Sequence, residues 1–462
     1  MTPDVAALLV LTSLVLLVAP KRWAPFALFA GACYMTRGQA INLGPLTFTS
    51  LNVLMVIALG RVFLRREWAN EVNSTDGLML VWAVWMVASV AFHENPAEQV
   101  ILRLRYMFEG LGLYFLFRTF CRTREEALNS IALLGLMLVP IAGVMTVEKL
   151  TGYNVFSVFG GVSAGSAVRD GMIRAQGPFA HSILAGTIGG VCVPLMVGLW
   201  PSRRRTAVLG TWACLTIVLT SGSSGPIMSA LAGCGALFLW RYRHNMRSVR
   251  WAALGMYLAL ELVMNRPAYF IMASVNLTGS STGWHRARLI QSALQKLGEW
   301  WLIGTDYTRH WMPTGVTWSP NHTDLTNHYI ALGVLGGLPL MLLFIVILVK
   351  AFWSIGGTIH ADIPERSKFP AWAIGSALFA HVVTCLSISY FDQSILFLYF
   401  TLALASARLA EGVALRSVAA DTVTSKWSKR PTITWQPAAT TPGGRRINGR
   451  RDLVRPLTHD IR

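Results

Sequence analysis

Charged residues are scarce in this chain. Aspartate, glutamate, lysine and arginine make up 13% of its 462 residues, while hydrophobic residues make up 53%. Soluble domains carry about 25% charged residues, so the composition excludes an ordinary water-soluble fold. Short segments with alternating polar and apolar residues are also missing, which excludes a transmembrane barrel. Apolar stretches of about twenty residues recur instead, for example residues 127–145 and 329–349, and they predict an all-α polytopic membrane protein.

Cysteine is also sparse. The chain has six cysteines, all within or beside apolar stretches, and no two are spaced like zinc ligands or a redox pair. We therefore expect them to pack in the core as free thiols, with no metal site among them. They are Cys33, Cys121, Cys192, Cys214, Cys234 and Cys385.

Negative charge is in short supply, with 22 acidic against 40 basic residues and a formal net charge of +18. The basic residues flank apolar segments, as at Lys21-Arg22 and Arg203-Arg204-Arg205. This placement is the positive-inside pattern of membrane proteins and argues against nucleic acid as a partner. Threading the clusters onto one side predicts about 12–13 transmembrane helices, with the N-terminus periplasmic and the C-terminus cytoplasmic. The first two spans, near residues 5–19 and 23–35, are short enough to form one shallow hairpin instead.

Two connections between the predicted spans are long. They cover about residues 148–181 and 265–326, and both contain aromatic, glycine and arginine residues. Connections of this length in a compact protein are usually functional or disordered. We predict that residues 1–412 form one transmembrane domain with these two periplasmic loops. Residues 413–462, rich in Thr, Pro, Gly and Arg, are predicted to be a disordered basic cytoplasmic tail.

The second loop contains an amphipathic helix over residues 284–301, because Ala287, Ile290, Ala293, Leu294, Leu297 and Trp301 recur at helical spacing. At about 100° per residue, Arg288 and Ser292 lie opposite this stripe, while Arg286 lies within it. A guanidinium on a buried face is unfavourable unless it meets an anion. The position of Arg286 therefore predicts either a protein carboxylate or an anionic ligand nearby. The candidate carboxylates for such an ion pair are Glu299 and Asp306.

Histidines lie at both loop exits. His328 falls in the first turn of the span that begins near Thr326, with Thr323, Asp324 and Thr326 as candidate caps. The positive end of a helix dipole disfavours imidazolium there, and the same helix end offers N–H groups to a phosphate. At the exit of the first loop, glycine and proline predict a tight turn that holds Arg174 and His181 on the same side.

Within the spans, Arg105 and Glu109 are spaced for a local ion pair on one apolar segment. A groove for a lipid diphosphate is the alternative use of these charges.

Three segments together resemble the O-antigen ligase and Wzy-type polysaccharide polymerase family, which are membrane glycosyltransferases. The stretch from Arg174 to His181 resembles the family's Arg-x-x-Gly-x-Phe turn before a span. The stretch from Trp284 to Thr305 resembles its arginine-bearing outer helix and the following glycine. The stretch from Thr326 to Gly337 resembles its histidine-bearing helix start with downstream glycines, except that Asn327 here precedes His328.

The resemblance implies a metal-independent, inverting transfer, without a cofactor, of an undecaprenyl-diphosphate-linked oligosaccharide in a bacterial inner membrane. The acceptor is a growing glycan for a polymerase or lipid A core for a ligase, and both remain open. The implied catalytic residues are His328, for the acceptor hydroxyl, and Arg286, for the diphosphate. Supporting substrate contacts fall to Arg174, Arg288, Asn327 and His181, with His322 and Arg105 in reserve.

The alternative is a transporter such as a lipid-linked oligosaccharide flippase, which needs its essential charges inside the spans along a central path. Concentration of arginine and histidine on long outer loops favours the enzyme. A non-catalytic assembly subunit is a third possibility, in which the loop arginines tolerate substitution. Membrane lipids and a chain-length regulator or flippase are the expected partners.

Overall fold

A computed structural model describes residues 1–36, 38–43, 46–68, 72–94, 96–274, 283–317 and 319–407. About 75% of the structure is helical. The helices are α1 Pro3–Val18, α2 Ala24–Tyr34, α3 Ser50–Leu64, α4 Ser74–Ala88, α5 Pro96–Phe120, α6 Arg124–Thr151, α7 Ser182–Gly198, α8 Arg204–Thr220, α9 Ser224–Phe238, α10 Met246–Val263, α11 Ile271–Ser274, α12 Gly283–Gln295, α13 Leu297–Trp300, α14 His328–His360, α15 Glu365–Cys385 and α16 Asp392–Ala407.

The part of the chain that the structure describes also contains three small antiparallel hairpins. They pair β1 Ala40–Leu43 with β2 Leu46–Thr49, β3 Ala167–Arg169 with β4 Met172–Arg174, and β5 Gly315–Val316 with β6 Ser319–Thr323. The last two hairpins lie in the two long connections, between α6 and α7 and between α12 and α14.

Among the described residues, three helical segments are long and apolar enough to cross a membrane: Ser74–Phe92, Arg124–Thr151 and His328–His360. Shorter apolar helices accompany them, among them α1, α3, α7 and α16. The helical content agrees with the predicted all-α membrane protein. The tail predicted over residues 413–462 lies outside the described residues.

Helix α7 lies at the centre of the bundle and packs against α8, α9 and α15. Nearly all of its residues are buried, and small residues let its neighbours approach closely. A Cβ atom at Gly186 would lie 2.3 Å from the Ser221 hydroxyl oxygen, and one at Gly190 would lie 2.8 Å from the Pro226 carbonyl oxygen. The turn between α8 and α9 is therefore pressed against the N-terminal half of α7.

Helix α14 is one apolar stretch in the sequence, but its backbone breaks at Gly336 and Gly337, where Gly337 adopts φ +72°. The backbone groups around the break find other partners. The Trp85 indole donates to the Gly336 carbonyl at 2.7 Å, and the Leu338 N–H donates to the Trp301 carbonyl at 2.7 Å. Such replacement bonds are what an interrupted helix in an apolar environment requires.

The break is also where the second long connection docks. The Thr305 N–H donates to the Val334 carbonyl at 2.9 Å, and the Arg103 guanidinium donates to the Leu335 carbonyl. A Cβ atom at Gly337 would lie 2.2 Å from the Leu302 carbonyl oxygen, and one at Gly304 would lie 2.2 Å from the Val334 carbonyl oxygen. Gly304 and Gly337, which belong to two of the segments that resemble the polymerase family, therefore lie in one tight contact between those segments.

Three local predictions need correction. The cap of α14 is Asn327, whose side-chain oxygen accepts from the Ile330 N–H at 3.1 Å, so the predicted caps upstream of it were wrong. On α12, Ser292 is buried whereas Leu294 is exposed, opposite to their predicted positions. The helix predicted over residues 284–301 is also interrupted, since α12 ends at Gln295 and a separate short helix begins at Leu297.

Two other predictions are confirmed, the first of them for five cysteines and not for Cys234. Five of the six cysteines are buried free thiols, and Cys234 is the exposed one. Arg105 and Glu109 form the predicted ion pair, with Nε and Oε1 2.9 Å apart.

Candidate anion-binding site

A buried carboxylate organises the turn that follows β4. Glu148, fully buried near the end of α6, accepts from the Gln176 N–H at 3.0 Å and from the Gly177 N–H at 2.8 Å. Ser166 donates to the same side chain at 3.0 Å. Gly177 itself has φ +57°, a conformation that favours glycine. The turn predicted from glycine and proline is therefore stabilised by hydrogen bonds to one buried carboxylate.

Arg174 is the last residue of β4 and is 8% exposed. Its guanidinium donates to the Ser223 hydroxyl oxygen, at the start of α9. Its Nε is buried without a hydrogen-bond partner among the described residues. Burial lowers the pKa of Arg174, and the nearby positive charge of Arg169 lowers it further. Arg174 is thus a buried cation that no described carboxylate neutralises by direct contact.

Arg286 approaches the same place from α12. Its two terminal nitrogens lie 3.6 and 3.8 Å from the position that a Cβ atom would take on Gly225. It forms no hydrogen bond or salt bridge with a described residue, and its Nε is buried without a partner. Burial lowers the pKa of Arg286; Asp324 opposes this effect, whereas Arg174 and Arg169 add to it.

The loop from Ser221 to Gly225 therefore lies between two guanidiniums. A third cation lies beside the same loop. The Lys149 ammonium donates to the Ile173 carbonyl and lies 3.5 Å from the position that a Cβ atom would take on Gly222. We call Lys149, Arg174 and Arg286 the basic cluster. Three positive charges held close together in a partly buried site favour the binding of an anion.

Two helix N-termini adjoin the basic cluster. Helix α9 begins at Ser224, and the side chain of its N-cap, Ser223, bonds to Arg174 and to the Ser221 carbonyl instead of capping the helix. Helix α7 begins at Ser182, whose hydroxyl is buried with no partner among the described residues. Helix N-termini present N–H groups and positive dipole ends, which favour an anion such as phosphate.

His181 caps α7, because its Nδ1 accepts from the Ile183 N–H at 3.2 Å. Desolvation lowers its pKa, Arg174 lowers it further, and Asp324 opposes both. A neutral imidazole that accepts at Nδ1 carries its proton on Nε2. His181 therefore offers an N–H donor beside the basic cluster.

Asp324 is an exposed residue in the segment between β6 and α14. Its carboxylate lies close enough to Arg286 and His181 to influence the pKa of both. It is an accessible proton acceptor at the edge of the cluster.

Other predicted site residues lie elsewhere. His328 is 6% exposed, accepts from the Tyr390 N–H at Nδ1 over 3.3 Å, and packs against the rings of Phe344 and Tyr390. Asn327 caps α14 and donates to the Leu386 carbonyl at 2.9 Å. Arg288 is exposed and donates to the Gln291 side chain at 2.7 Å. The roles given to them from the resemblance stay predictions.

His322 belongs to a second polar group within the second connection. It contacts Thr308 at 3.4 Å, and Asp306 opposes the lowering of its pKa that burial causes. Asp306 in turn contacts His93, with Oδ1 2.6 Å from Nδ1. The His93 side chain also contacts Arg103 at 3.2 Å, so this group ties the second connection to α4 and α5.

Sequence reasoning missed Asp324 as a site residue, because it was taken for a helix cap. It also missed Lys149, Ser182 and Ser223. A signal existed in the run Ser221-Gly222-Ser223-Ser224-Gly225, which is small and polar between two apolar helices. Such a run permits close approach of backbone to a ligand.

The fold and the basic cluster define a helix-rich protein with helices of membrane-spanning length and two arginines that form no salt bridge with any residue the structure describes. No model of a known protein family matches the chain, and no curated protein sequence matches it.

Proposed function

We propose that this protein is a polytopic membrane glycosyltransferase that moves a glycan from undecaprenyl diphosphate to a sugar hydroxyl on the periplasmic face of the bacterial inner membrane. The supporting observation is the approach of Arg174 and Arg286 to one loop, each with a buried Nε that no described residue satisfies. Such a pair is suited to a diphosphate, because guanidinium binds phosphate oxygens with two parallel hydrogen bonds.

In the proposed reaction the acceptor oxygen attacks the anomeric carbon while the bond from that carbon to the diphosphate oxygen breaks. The electron pair leaves with undecaprenyl diphosphate, and the configuration at carbon inverts. Arg174 and Arg286 stabilise the negative charge that develops on the leaving group, and His181 donates from Nε2. The helix N-termini of α7 and α9 add to this stabilisation.

The proton of the acceptor hydroxyl needs a base that a sugar can reach. Asp324 is exposed and lies beside the basic cluster, whereas His328 is enclosed by aromatic rings. We assign the proton to Asp324, in place of His328, which the family resemblance favoured. Asp324→Asn should lower the rate of transfer about a hundredfold, within the range for loss of a general base. His328→Gln should lower it much less, and the reverse order would return the role to His328.

In cells, a deletion strain complemented with variants tests the proposal. Arg174→Lys and Arg286→Lys keep the charge but lose the planar fork, so we expect loss of polymer or of ligated glycan. Arg266→Lys, an exposed arginine in the same long connection with no assigned role, is the matched control and should behave as wild type. Unaltered glycan in both Arg174→Lys and Arg286→Lys would contradict the proposal.

The intact lipid-linked and surface glycans of the deletion strain separate the two forms of the reaction. Loss of repeats attached to lipid A core indicates a ligase, and loss of long chains indicates a polymerase. If the protein is a flippase, the deletion strain should instead retain the lipid-linked glycan on the cytoplasmic face. The purified protein should then show no transfer.

A further inference from the structure

An exposed pair of aromatic rings lies on the second long connection, outside the basic cluster. The Tyr307 and His310 rings stack with their centroids 5.0 Å apart and their planes 9° from parallel. Tyr307 is 49% exposed. Since His310 covers one face of the tyrosine ring, that exposure belongs largely to the other face and to the ring edge. Neither residue has a part in the proposed reaction.

Hydrogen bonds hold this aromatic pair in place. The His310 Nε2 atom lies 2.9 Å from the Glu299 Oε2 atom, and the indole of the buried Trp311 donates to the same oxygen at 3.1 Å. Trp311 belongs to the small buried core that the second connection shares with α14. The Tyr307 N–H donates to the Thr305 hydroxyl at 3.3 Å, so the backbone of the tyrosine is held as well. An aromatic surface that is already ordered loses little conformational entropy when a ligand binds to it.

Polar groups around the pair have hydrogen-bonding capacity that the described residues do not use. The Tyr307 hydroxyl and the His310 Nδ1 atom form no hydrogen bond with a described residue. The Lys296 ammonium has three donors, and among the described residues it bonds to Glu299 alone, at 3.2 Å. The side chains of Lys296, Glu299 and His310 are between 32% and 39% exposed. Donors and acceptors therefore lie together at the edge of an aromatic face that solvent reaches.

This combination suits the ring of a sugar. The C–H bonds on one face of a sugar ring carry partial positive charge and pack well against the negative face of an aromatic ring. Sugar hydroxyls both donate and accept hydrogen bonds, so they match the groups at the edge of the pair. The charges of Glu299 and Lys296 balance each other in a salt bridge. The surface therefore favours a polyhydroxylated ligand over an anion such as the lipid diphosphate.

The pair is joined by hydrogen bonds to the segment that leads into Asp324. The Thr308 N–H donates to the Asn321 carbonyl at 2.9 Å, and the Thr323 N–H donates to the Thr308 hydroxyl at 3.1 Å. Thr308 directly follows Tyr307, and Asp324 directly follows Thr323. The aromatic pair therefore lies near the carboxylate to which the proposed reaction assigns the acceptor proton. A glycan that extends from the reacting hydroxyl can reach the pair.

We propose that Tyr307 and His310 form a glycan-binding platform, on which one sugar ring of the acceptor packs against Tyr307 while Lys296 and His310 bond to its hydroxyls. The inference rests on the proposed transferase function and adds a place for the second substrate. The platform binds a sugar other than the one that carries the reacting hydroxyl. It therefore positions the acceptor and takes no part in the bond-making step.

The test uses the purified full-length protein in detergent, with lipid-linked glycan from the host strain as donor and the glycolipid and glycan fraction of the deletion strain as acceptor. Tyr307→Ala removes the aromatic face, whereas Tyr307→Phe keeps the face and removes the hydroxyl. Tyr153→Ala is the matched control, because Tyr153 is also 49% exposed and lies in the first long connection. Binding of the oligosaccharide that mild acid releases from the acceptor fraction, followed by saturation-transfer NMR, is a second readout that needs no transfer.

We expect Tyr307→Ala to raise the acceptor KM and the oligosaccharide Kd about threefold to tenfold, as for loss of one aromatic stacking contact. The donor KM and kcat should stay within about twofold of wild type, because the platform does not touch the reacting atoms. Tyr307→Phe should stay within about twofold of wild type in every constant, and Tyr153→Ala should change none. Thermal unfolding establishes that the variants are folded. If Tyr307→Ala does not fold, Lys296→Gln carries the test, since it removes a donor at the edge of the platform and should raise the same two constants.

An unchanged acceptor KM in Tyr307→Ala overturns the platform while wild-type transfer still stands, and it is the result expected of a tyrosine that only anchors the protein at the membrane interface. An equal rise in donor KM overturns the platform as well. Absence of transfer by wild type overturns the proposed function itself. In that case oligosaccharide binding decides on the platform alone: binding that Tyr307→Ala weakens supports it, and no binding by wild type overturns it.

Discussion

Replacement of Arg286 by glutamine should separate function from folding. The guanidinium is half-buried, has no described hydrogen-bond partner and lies near a second cation, Arg174. A buried donor left without a partner costs about 1–3 kcal/mol of folding stability. Arg286→Gln removes both Nε and the charge, so the substrate-free variant should be at least as stable as wild type, and about 1 kcal/mol more stable if half the cost is recovered.

The same change should abolish most of the activity. Loss of one donor aimed at the developing charge of the leaving group lowers a rate by about 10²–10³, equivalent to about 2.7–4 kcal/mol of transition-state stabilisation. A variant that is more stable yet far less active is the pattern expected of a residue that binds a ligand. A structural ion pair gives the opposite pattern, because its loss destabilises the fold.

Transfer rates and thermal unfolding in one detergent measure both effects. Arg266→Gln is the control, since it makes the same change on an exposed side chain of the same long connection, and it should alter neither quantity. Arg286→Gln that unfolds at a clearly lower temperature and still transfers glycan would refute the assignment of Arg286 to an anion.

Three further predictions concern the elements that support the site. Gly337→Ala places a Cβ atom 2.2 Å from the Leu302 carbonyl oxygen, at φ +72°, so it should destabilise the fold by about 3 kcal/mol or more. Gly356→Ala is the control, because open space surrounds Gly356, and it should stabilise the fold by about 0.5–1 kcal/mol. Thermal unfolding measures both effects. Glu148→Gln turns an amide N–H₂ towards the Gly177 N–H, which should cost about 1–3 kcal/mol and expose the first connection to limited proteolysis, and unchanged proteolysis would count against the bracing role. The pKa of His181 lies below its ordinary value, so the unfolded chain takes up a proton at a higher pH than the folded chain. Stability should therefore fall as pH drops below about 6.5. His181→Asn, which can still cap α7, should remove that part of the pH dependence, and a pH profile identical to that of wild type would contradict this prediction.

Local chemistry made parts of the site predictable. Helical spacing indicated that Arg286 lies on the inward side of its helix, and glycine with proline indicated the turn after Arg174. These inferences depend on residues within a few positions of one another, where periodicity and turn propensity act. The start of α14 at His328 was predictable for the same reason.

Tertiary contacts decided the rest. The break in α14 is invisible in its apolar run, because Gly336 and Gly337 are tolerated in a helix until a carbonyl from another segment occupies the space of a side chain. The position of Asp324 beside Arg286 depends on how α12 and the β5–β6 hairpin return to the bundle. The contact between Arg105 and Asp392 joins residues almost three hundred positions apart, a distance over which no sequence period operates.

The burial of His328 is a feature that the family-like segment did not predict. A histidine at a helix start matches the family-like segment, yet its ring packs against Phe344 and Tyr390 and faces away from solvent. Its predicted role in the transfer stays a prediction, which the comparison of His328→Gln with Asp324→Asn tests.

Transfer by the purified protein alone is the measurement that tests the central claim most directly. Wild-type protein in detergent, given lipid-linked glycan, the acceptor fraction of the deletion strain and a chelator, should form elongated or ligated glycan and release undecaprenyl diphosphate. Arg174→Lys and Arg286→Lys should each reduce both products together. Translocation of the lipid-linked glycan in liposomes, with no transfer under any of these conditions, would contradict the account and favour a flippase.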